Sequence, residues 1–323
     1  MKQKSKNALE EVMKKTHLSS FEDWVKNFAV NLPDIWNESS ANDLKKITNK
    51  NGKKIAIVIG GGPSVKKHNH LELLKNSNFK GAIIVVDRML KTVLEAGVTP
   101  KKFPKFFVIS IEPYERIKKH YNSKIVQKFG SNIKAIFPVI ISPKVANKAR
   151  DSKIEIHWLH SLIDFQEGEK SFNKLSSIMI QAKSHQKGLP GIQTGGNVGT
   201  SAWFVSWRIL KCTTVCMIGI NHGWEEDDPW DKIISHGHED PTKKMDGKNK
   251  NVKKSLKKVY NPDFDCTCIL DPIYQFYSSA LIEFISRSPL SINTINATEG
   301  GSIFGKRITS MTFKKFLEKF DAK

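Results

Sequence analysis

The segment KIAIVIG, residues 54–60, constrains the fold more than any other part of the chain. Its apolar residues run without alternation and are mostly β-branched. A strand of that kind must be covered on both faces, as in the middle of a parallel sheet. It ends in GGGPSV (60–65), and a helix-like stretch follows to about Asn76. The same unit then recurs. AIIVVD (82–87) precedes RMLKTVLEAG (88–97), closed by Gly97, and FFVISIE (106–112) precedes YERIKKHY (114–121). KAIFPVI (134–140), IEIHWL (154–159), VCMIGIN (215–221) and SINTIN (291–296) continue the series. This alternation predicts an α/β fold with a mostly parallel sheet and helices on both faces.

The flanking segments read differently. Residues 1–50 form a helical N-terminal extension in which Phe21, Trp24, Val25, Phe28 and Ala29 share one apolar face, and Asn31–Pro33 is predicted to end it. The glycine-rich stretch 188–199 leads into a helical pattern from Val198 to Leu210, whose Trp203, Phe204 and Trp207 are expected in the core. Residues 222–262 are polar and read as a long loop or lid. Helical patterns at 272–287 and 311–320 close the chain, and no fixed-period repeat occurs. The predicted organisation is an extension (1–50), a main α/β domain (51–310) with a Lys-rich insertion near 222–262, and a C-terminal helix (311–323).

Composition narrows the class of partner. Lys and Arg total 52 against 32 Asp and Glu, a formal charge of +20, which favours anionic ligands. A nucleic-acid-binding module is the weakest reading, because the lysines gather in loops and no aromatic RNA motif or helix-turn-helix pattern occurs. Residues 243–258 alone hold eight Lys and one Asp, which reads as a solvated insertion. A hydrophobic fraction of 39% is enough for a buried core. No apolar run approaches the ~20 residues of a membrane span. The N-terminus mixes charges without an apolar stretch, so a cytoplasmic protein is expected. Cys212/Cys216 and Cys266/Cys268 lack zinc-site spacing and read as free thiols.

Candidate chemistry gathers at strand ends, where parallel sheets bind ligands. In Gly60, Gly61, Gly62, Pro63 and Ser64, glycines allow close approach of a phosphate to backbone N–H groups, with Lys66 and Lys67 adding charge, or simply make a tight strand–helix turn with no ligand. The motif is neither a P-loop nor a full dinucleotide fingerprint, since Val65 stands where a third spaced glycine belongs. Asp87 is suited to grip a ribose or substrate hydroxyl, or to cap the next helix. Glu112 is suited to act as a base or hold a metal–phosphate, or is simply solvated. GGNVGTSAW (195–203) is a second glycine-rich helix start, with Gly195, Gly196, Asn197 and Thr200 as phosphate or base contacts, or with its glycines serving close helix packing. Asn221 and His222 end a further strand, and His222, His236 and His238 are the candidate acid–base histidines. The two glycine-rich turns are expected to face each other across a shared hollow that holds an anionic cofactor.

In order and content, GGGPSV (60–65), VVDRMLKTVLEAGVTP (85–100), IEP (111–113), GGNVGTSA (195–202) and IGIN (218–221) resemble the MptE-like family. That family includes archaeal 6-hydroxymethylpterin diphosphokinase and motility-associated glycosyltransferases that modify flagellin. The tail NATEGGSIFGK (296–306) resembles the glycosyltransferase branch. The resemblance implies a Rossmann-like, nucleotide-binding transferase. By the same resemblance Gly60 to Ser64 line phosphates, and Asp87, Glu112, Gly196 and Asn197 share their crevice. The implied donor is ATP or another nucleotide, with Mg²⁺, and the acceptor is a pterin or a glycan acceptor. The implied reactions are diphosphate transfer from ATP or glycosyl transfer from a CMP- or UDP-type sugar. Two departures stand out. The family commonly carries Asp-Pro where this chain has Glu112-Pro113, and Gly-x-Asp where it has Gly219-Ile220-Asn221. The missing acid at 221 weakens magnesium binding.

Overall fold

The computed structural model describes residues 2–48, 54–163, 171–181, 188–235 and 255–320. Its centre is a ten-stranded sheet. In chain order its strands are β1 (Ser39–Ser40), β2 (Ile55–Ile59), β3 (Ala82–Val86), β4 (Phe106–Ile109), β5 (Lys134–Pro138), β6 (Glu155–Leu162), β7 (Gly191–Gln193) and β8 (Thr214–Ile218). A separate three-stranded antiparallel sheet holds β9 (Trp224–Glu225), β10 (Lys257–Asn261) and β11 (Cys266–Leu270). The large sheet is completed by β12 (Asn293–Asn296) and β13 (Ile308–Ser310).

The spatial order is β1-β6-β5-β4-β3-β2-β8-β12-β13, with β7 beside β6, and every pairing is parallel. The chain winds outward from β2 to β6, then returns to place β8 on the other side of β2. This is a doubly wound, Rossmann-like α/β fold whose topological switch point lies between β2 and β8.

Alternate residues of β2 show why the apolar run is continuous. Ile55, Ile57 and Ile59 join one buried cluster, with Trp24, Phe28, Val93, Val145, Phe313 and Phe316 from helices on that face. Ala56 and Val58 join the other, with Trp203, Ile209, Leu281 and Ile285. Trp203, Phe204 and Trp207 pack together there as expected, although the helix divides into an α-helix (Val198–Phe204) and a π-helical turn (Val205–Ile209).

Three expectations are corrected. The first helix does not stop at Asn31–Pro33 but runs from Lys2 to Asn37 with Pro33 inside it. Tertiary contacts override the break: Ile35 beyond the proline is fully buried. On the same helix Asn31 Nδ2 donates to the carbonyls of Val139 (3.2 Å) and Ile141 (2.8 Å). One turn earlier, Asn27 Nδ2 donates to the carbonyls of Ile140 and Pro113, each at 3.0 Å. The helix-like stretch after the glycine turn is two pieces, Ser64–Lys67 and His70–Asn76, because Asn69 adopts a left-handed conformation (φ 52°) between them. Finally, the polar stretch 222–262 is not merely a loop, since its described part contributes β9, helix Trp230–Ser235 and β10. The register of β10 and β9 on β11, which carries Cys266 and Cys268, organises it. All four cysteines are free. No described helix is long and apolar enough to cross a membrane.

Candidate active site at the strand C-terminal rim

At the switch point the C-terminal ends of β2 and β8 do not diverge to leave a cleft. The Gly60 amide donates to Ile218 O (2.8 Å), and the Gly62 amide to Gly219 O (2.9 Å), so backbone pairing continues past both strands. A Cβ on Gly60 would stand 2.3 Å from Gly219 O, and one on Gly62 would stand 2.0 Å from Asn221 Oδ1. Those glycines are therefore required by the neighbouring chain. Ser64 Oγ donates to Asn221 Oδ1 at 2.9 Å, and both residues are buried. The pair locks the two turns together.

The shared hollow expected between the glycine-rich turns is filled. A Cβ on Gly60 would lie 2.4 Å from Ile220 Cδ1, and one on Gly199 would lie 2.7 Å from the same atom. The two segments do meet, but across the side chain of Ile220, which is only 4% exposed. The second turn is likewise self-satisfied. Asn197 caps helix Val198–Phe204: its Oδ1 accepts from Thr200 N (2.8 Å), and its Nδ2 donates to Thr200 Oγ1 (2.9 Å). Thr200 is fully buried. Gly195 and Gly196 hold left-handed backbone (φ 56° and 78°), and a Cβ on Gly196 would approach the Phe276 and Tyr277 rings to 2.8 Å.

What remains accessible lies one step outward along the rim. Gly61 is half-buried, and the position a Cβ would take there lies 2.6 Å from Arg88 Nε. Arg88 Nη2 donates to Gly61 O at 3.1 Å, and the residue is exposed. Next to it, Asp87 is buried. Its Oδ1 accepts from Arg88 N (2.7 Å), and its Oδ2 accepts from Ser110 Oγ (2.6 Å), which in turn contacts Tyr121 Oη (2.8 Å). Burial pushes the Asp87 carboxyl above the usual range, against the pull of the Ser110 and Arg88 hydrogen bonds. Both oxygens are thus engaged by the protein itself. Glu112 is exposed and ion-paired with Arg116 at 3.2 Å.

The opposite wall is aromatic. His222 adopts positive φ (41°), is 7% exposed, and its ring stands 6.3 Å from Tyr274 and 5.9 Å from Tyr277. Ser302 Oγ supports this turn by donating to His222 O at 2.6 Å. Tyr274 and Tyr277 share a face of helix Pro272–Arg287, which is capped by Asp271. Burial raises both phenols. Arg88 opposes the rise at Tyr274, whereas Glu112 and Asp271 add to it at Tyr277, which is pushed up to about 12. His120 is lowered by burial, Lys119 and Arg88, with Glu112 opposing.

The predicted lysines sit elsewhere. Lys66 and Lys67 line a cavity of about 320 Å³ with Pro63, Ser64, Glu225, Asp227 and Asp228. Lys67 is bound to Glu225 and Asp227, which raise its pKa. Its charge is spent on carboxylates. Residues 236 and 238, and most of the Lys-rich stretch, lie outside the described residues. Of the two acids expected near the phosphates, Asp87 is hydrogen-bonded inward and Glu112 is paired with Arg116. Among the described residues no three His, Cys, Asp or Glu side chains gather to hold a metal. Sequence reasoning missed Arg88, His120, Tyr274 and Tyr277. Arg88 had a signal, because it directly follows the strand-end Asp87; the tyrosines come from a distant helix and had none.

Residues 26–227 match the family described as 6-hydroxymethylpterin diphosphokinase MptE-like. Among solved structures, the MAf glycosyltransferase from Magnetospirillum magneticum AMB-1 is similar, at 14% identity and a TM-score of 0.49. The match covers 87% of this chain but only 38% of that one, so the chain spans well under half of that protein's length. No curated protein matches.

Proposed function

This chain belongs to the MptE-like family, and from that premise we propose that it is a nucleotide-dependent transferase, most concretely a 6-hydroxymethyl-7,8-dihydropterin diphosphokinase. The observation that carries the reading is the rim at the β2–β8 switch point. There exposed Arg88 stands over Gly61, and the histidine–tyrosine wall begins at His222, next to the Asn221 that is bonded to Ser64 of the glycine turn.

In this reading the acceptor hydroxyl attacks the β-phosphorus of ATP. The bond from the β-phosphorus to the bridging oxygen breaks, AMP leaves with that oxygen, and the β,γ-diphosphate stays on the acceptor. Glu112 is the exposed carboxylate at the rim and takes the hydroxyl proton; the Arg116 pair must open or shift for it to do so. The flat pterin or base stacks on the wall of His222, Tyr274 and Tyr277. ATP turnover to AMP that requires the pterin is the expected result. Absence of AMP with pterin, ATP and added Mg²⁺ refutes the diphosphokinase form.

One observation favours a second form, glycosyl transfer from a CMP- or UDP-sugar with His222 as base. The tail that resembles the glycosyltransferase branch supports the His222 turn directly, through Ser302. Thermal shift separates the two: stabilisation by ATP favours the first form, and by CMP or UDP the second.

A further inference from the structure

The amides of Gly60 and Gly62 are committed to the carbonyls of Ile218, the last residue of β8, and of Gly219 just beyond it, so two of the three N–H groups of the glycine run are withdrawn from any anion. Positive charge at this position comes instead from Arg88. Its single hydrogen bond to Gly61 O fixes the guanidinium over the turn and leaves most of the N–H fork uncommitted among the described residues. Of the other described arginines, Arg116, Arg150 and Arg287 are paired with carboxylates and Arg307 is bound to backbone carbonyls, while Arg208 is exposed without a carboxylate pair but lies on the π-helical turn that precedes β8, not beside the glycine turn. Among the described residues Arg88 has no carboxylate within ion-pair distance, although Asp87 adjoins it in sequence. Asp87 accepts the backbone amide of Arg88 and turns its other oxygen to Ser110. An exposed arginine, anchored at one edge and open at the other, matches the geometry of a phosphate.

We propose that Arg88 is the phosphate-binding residue of the donor site, holding the di- or triphosphate of the nucleotide where the glycine turn was expected to hold it. Asp87 is a positioning residue that fixes the Arg88 backbone. The inference rests on the nucleotide reading above and names the contact that reading lacks.

The test is calorimetric titration of the wild type, Arg88→Gln and Arg88→Lys with ATP, adenosine, CMP, cytidine and inorganic pyrophosphate. Melting temperatures within ~2 °C of the wild type, as befits an exposed site, establish that the variants are folded. Whichever nucleotide binds the wild type is expected to lose affinity about tenfold to a hundredfold in Arg88→Gln, the range for a charge-assisted hydrogen bond. Arg88→Lys recovers part of that loss. The matching nucleoside binds all three proteins equally, and pyrophosphate follows the nucleotide. Nucleotide affinity within about twofold of the wild type in Arg88→Gln overturns the role of Arg88 and leaves the transferase reading standing. Arg88-dependent binding of pyrophosphate without binding of either nucleotide does the reverse. No binding of any phosphate compound to the wild type overturns both.

Discussion

Replacing Gly62 by alanine tests whether the glycine run is built for the neighbouring chain or for a ligand. The added Cβ would stand 2.0 Å from Asn221 Oδ1 and 2.8 Å from Gly219 O, the carbonyl that accepts the Gly62 amide. Asn221 must therefore move. It is 3% exposed and its Oδ1 accepts from Ser64 Oγ, itself 1% exposed, so moving it strands a buried hydroxyl. Overpacking costs about 1–3 kcal/mol, and the orphaned polar group about 1–3 kcal/mol. Together these give roughly 2–6 kcal/mol, or a fall in melting temperature of roughly 3–9 °C for a chain of this length. Circular dichroism melts of the single variants Gly62→Ala and Asn221→Ala and of the double variant measure it. Clash and lost bond involve the same atoms, so the double variant should cost at least ~1 kcal/mol less than the sum. A Gly62→Ala protein that melts within 2 °C of the wild type, or strictly additive costs, refutes the packing argument and returns the turn to service as an open cradle.

Three further outcomes follow from the same geometry. Ile220→Ala removes the wedge between Gly60 and Gly199 and should destabilise by about 2–5 kcal/mol in urea unfolding; a cost below ~1 kcal/mol means that the site collapses without it. Asn197→Ala deletes the cap on Thr200 N and should cost about 1 kcal/mol, with Asn197→Asp restoring most of it; equal melting of the alanine variant and the wild type contradicts this. Asp87→Asn removes a buried ionisation. Because burial raises the folded pKa of Asp87, its contribution in the wild type is full below the ordinary carboxyl range and lost as pH rises through the raised value. The variant should therefore gain on the wild type at pH 7 and lose that advantage as the pH falls below the ordinary carboxyl range, about pH 4. A pH-independent difference between the two proteins counts against it.

The central strands were legible because a strand covered on both faces must be apolar at every position, and 55–59, 82–86 and 106–109 are. The edges were not. Ser39–Ser40, Gly191–Gln193 and Ile308–Ser310 are short, partly polar pairings fixed by a neighbour rather than by their own pattern. Pro33 misled because the buried contacts of Ile35 and Asn31 outweigh the one hydrogen bond the proline forgoes. At the site, alternation placed the ends of β2 and β3 to within a residue, whereas β4 and β8 stop three residues short of Glu112 and Asn221. What alternation does not reveal is whom a glycine serves. Gly60 makes room for Gly219 O and Ile220, a pairing of segments far apart in the chain. Tyr274 and Tyr277 reach the rim through helix Pro272–Arg287, and the spacing of three that places them there also fits ordinary core packing.

The amide side chains of Asn27 and Asn31 bear on how far the first helix is a detachable appendage. Two residues one turn apart supply hydrogens to four carbonyls, three in succession after β5 and the fourth at Pro113, next door to Glu112. Undocking the helix would expose all four acceptors at once, so it should come away as one event rather than fray. The strand-end loop bearing Glu112 would lose a tether in that same event. Any protein or protease that gripped the helix would then be pulling, mechanically, on the place where chemistry is proposed to happen.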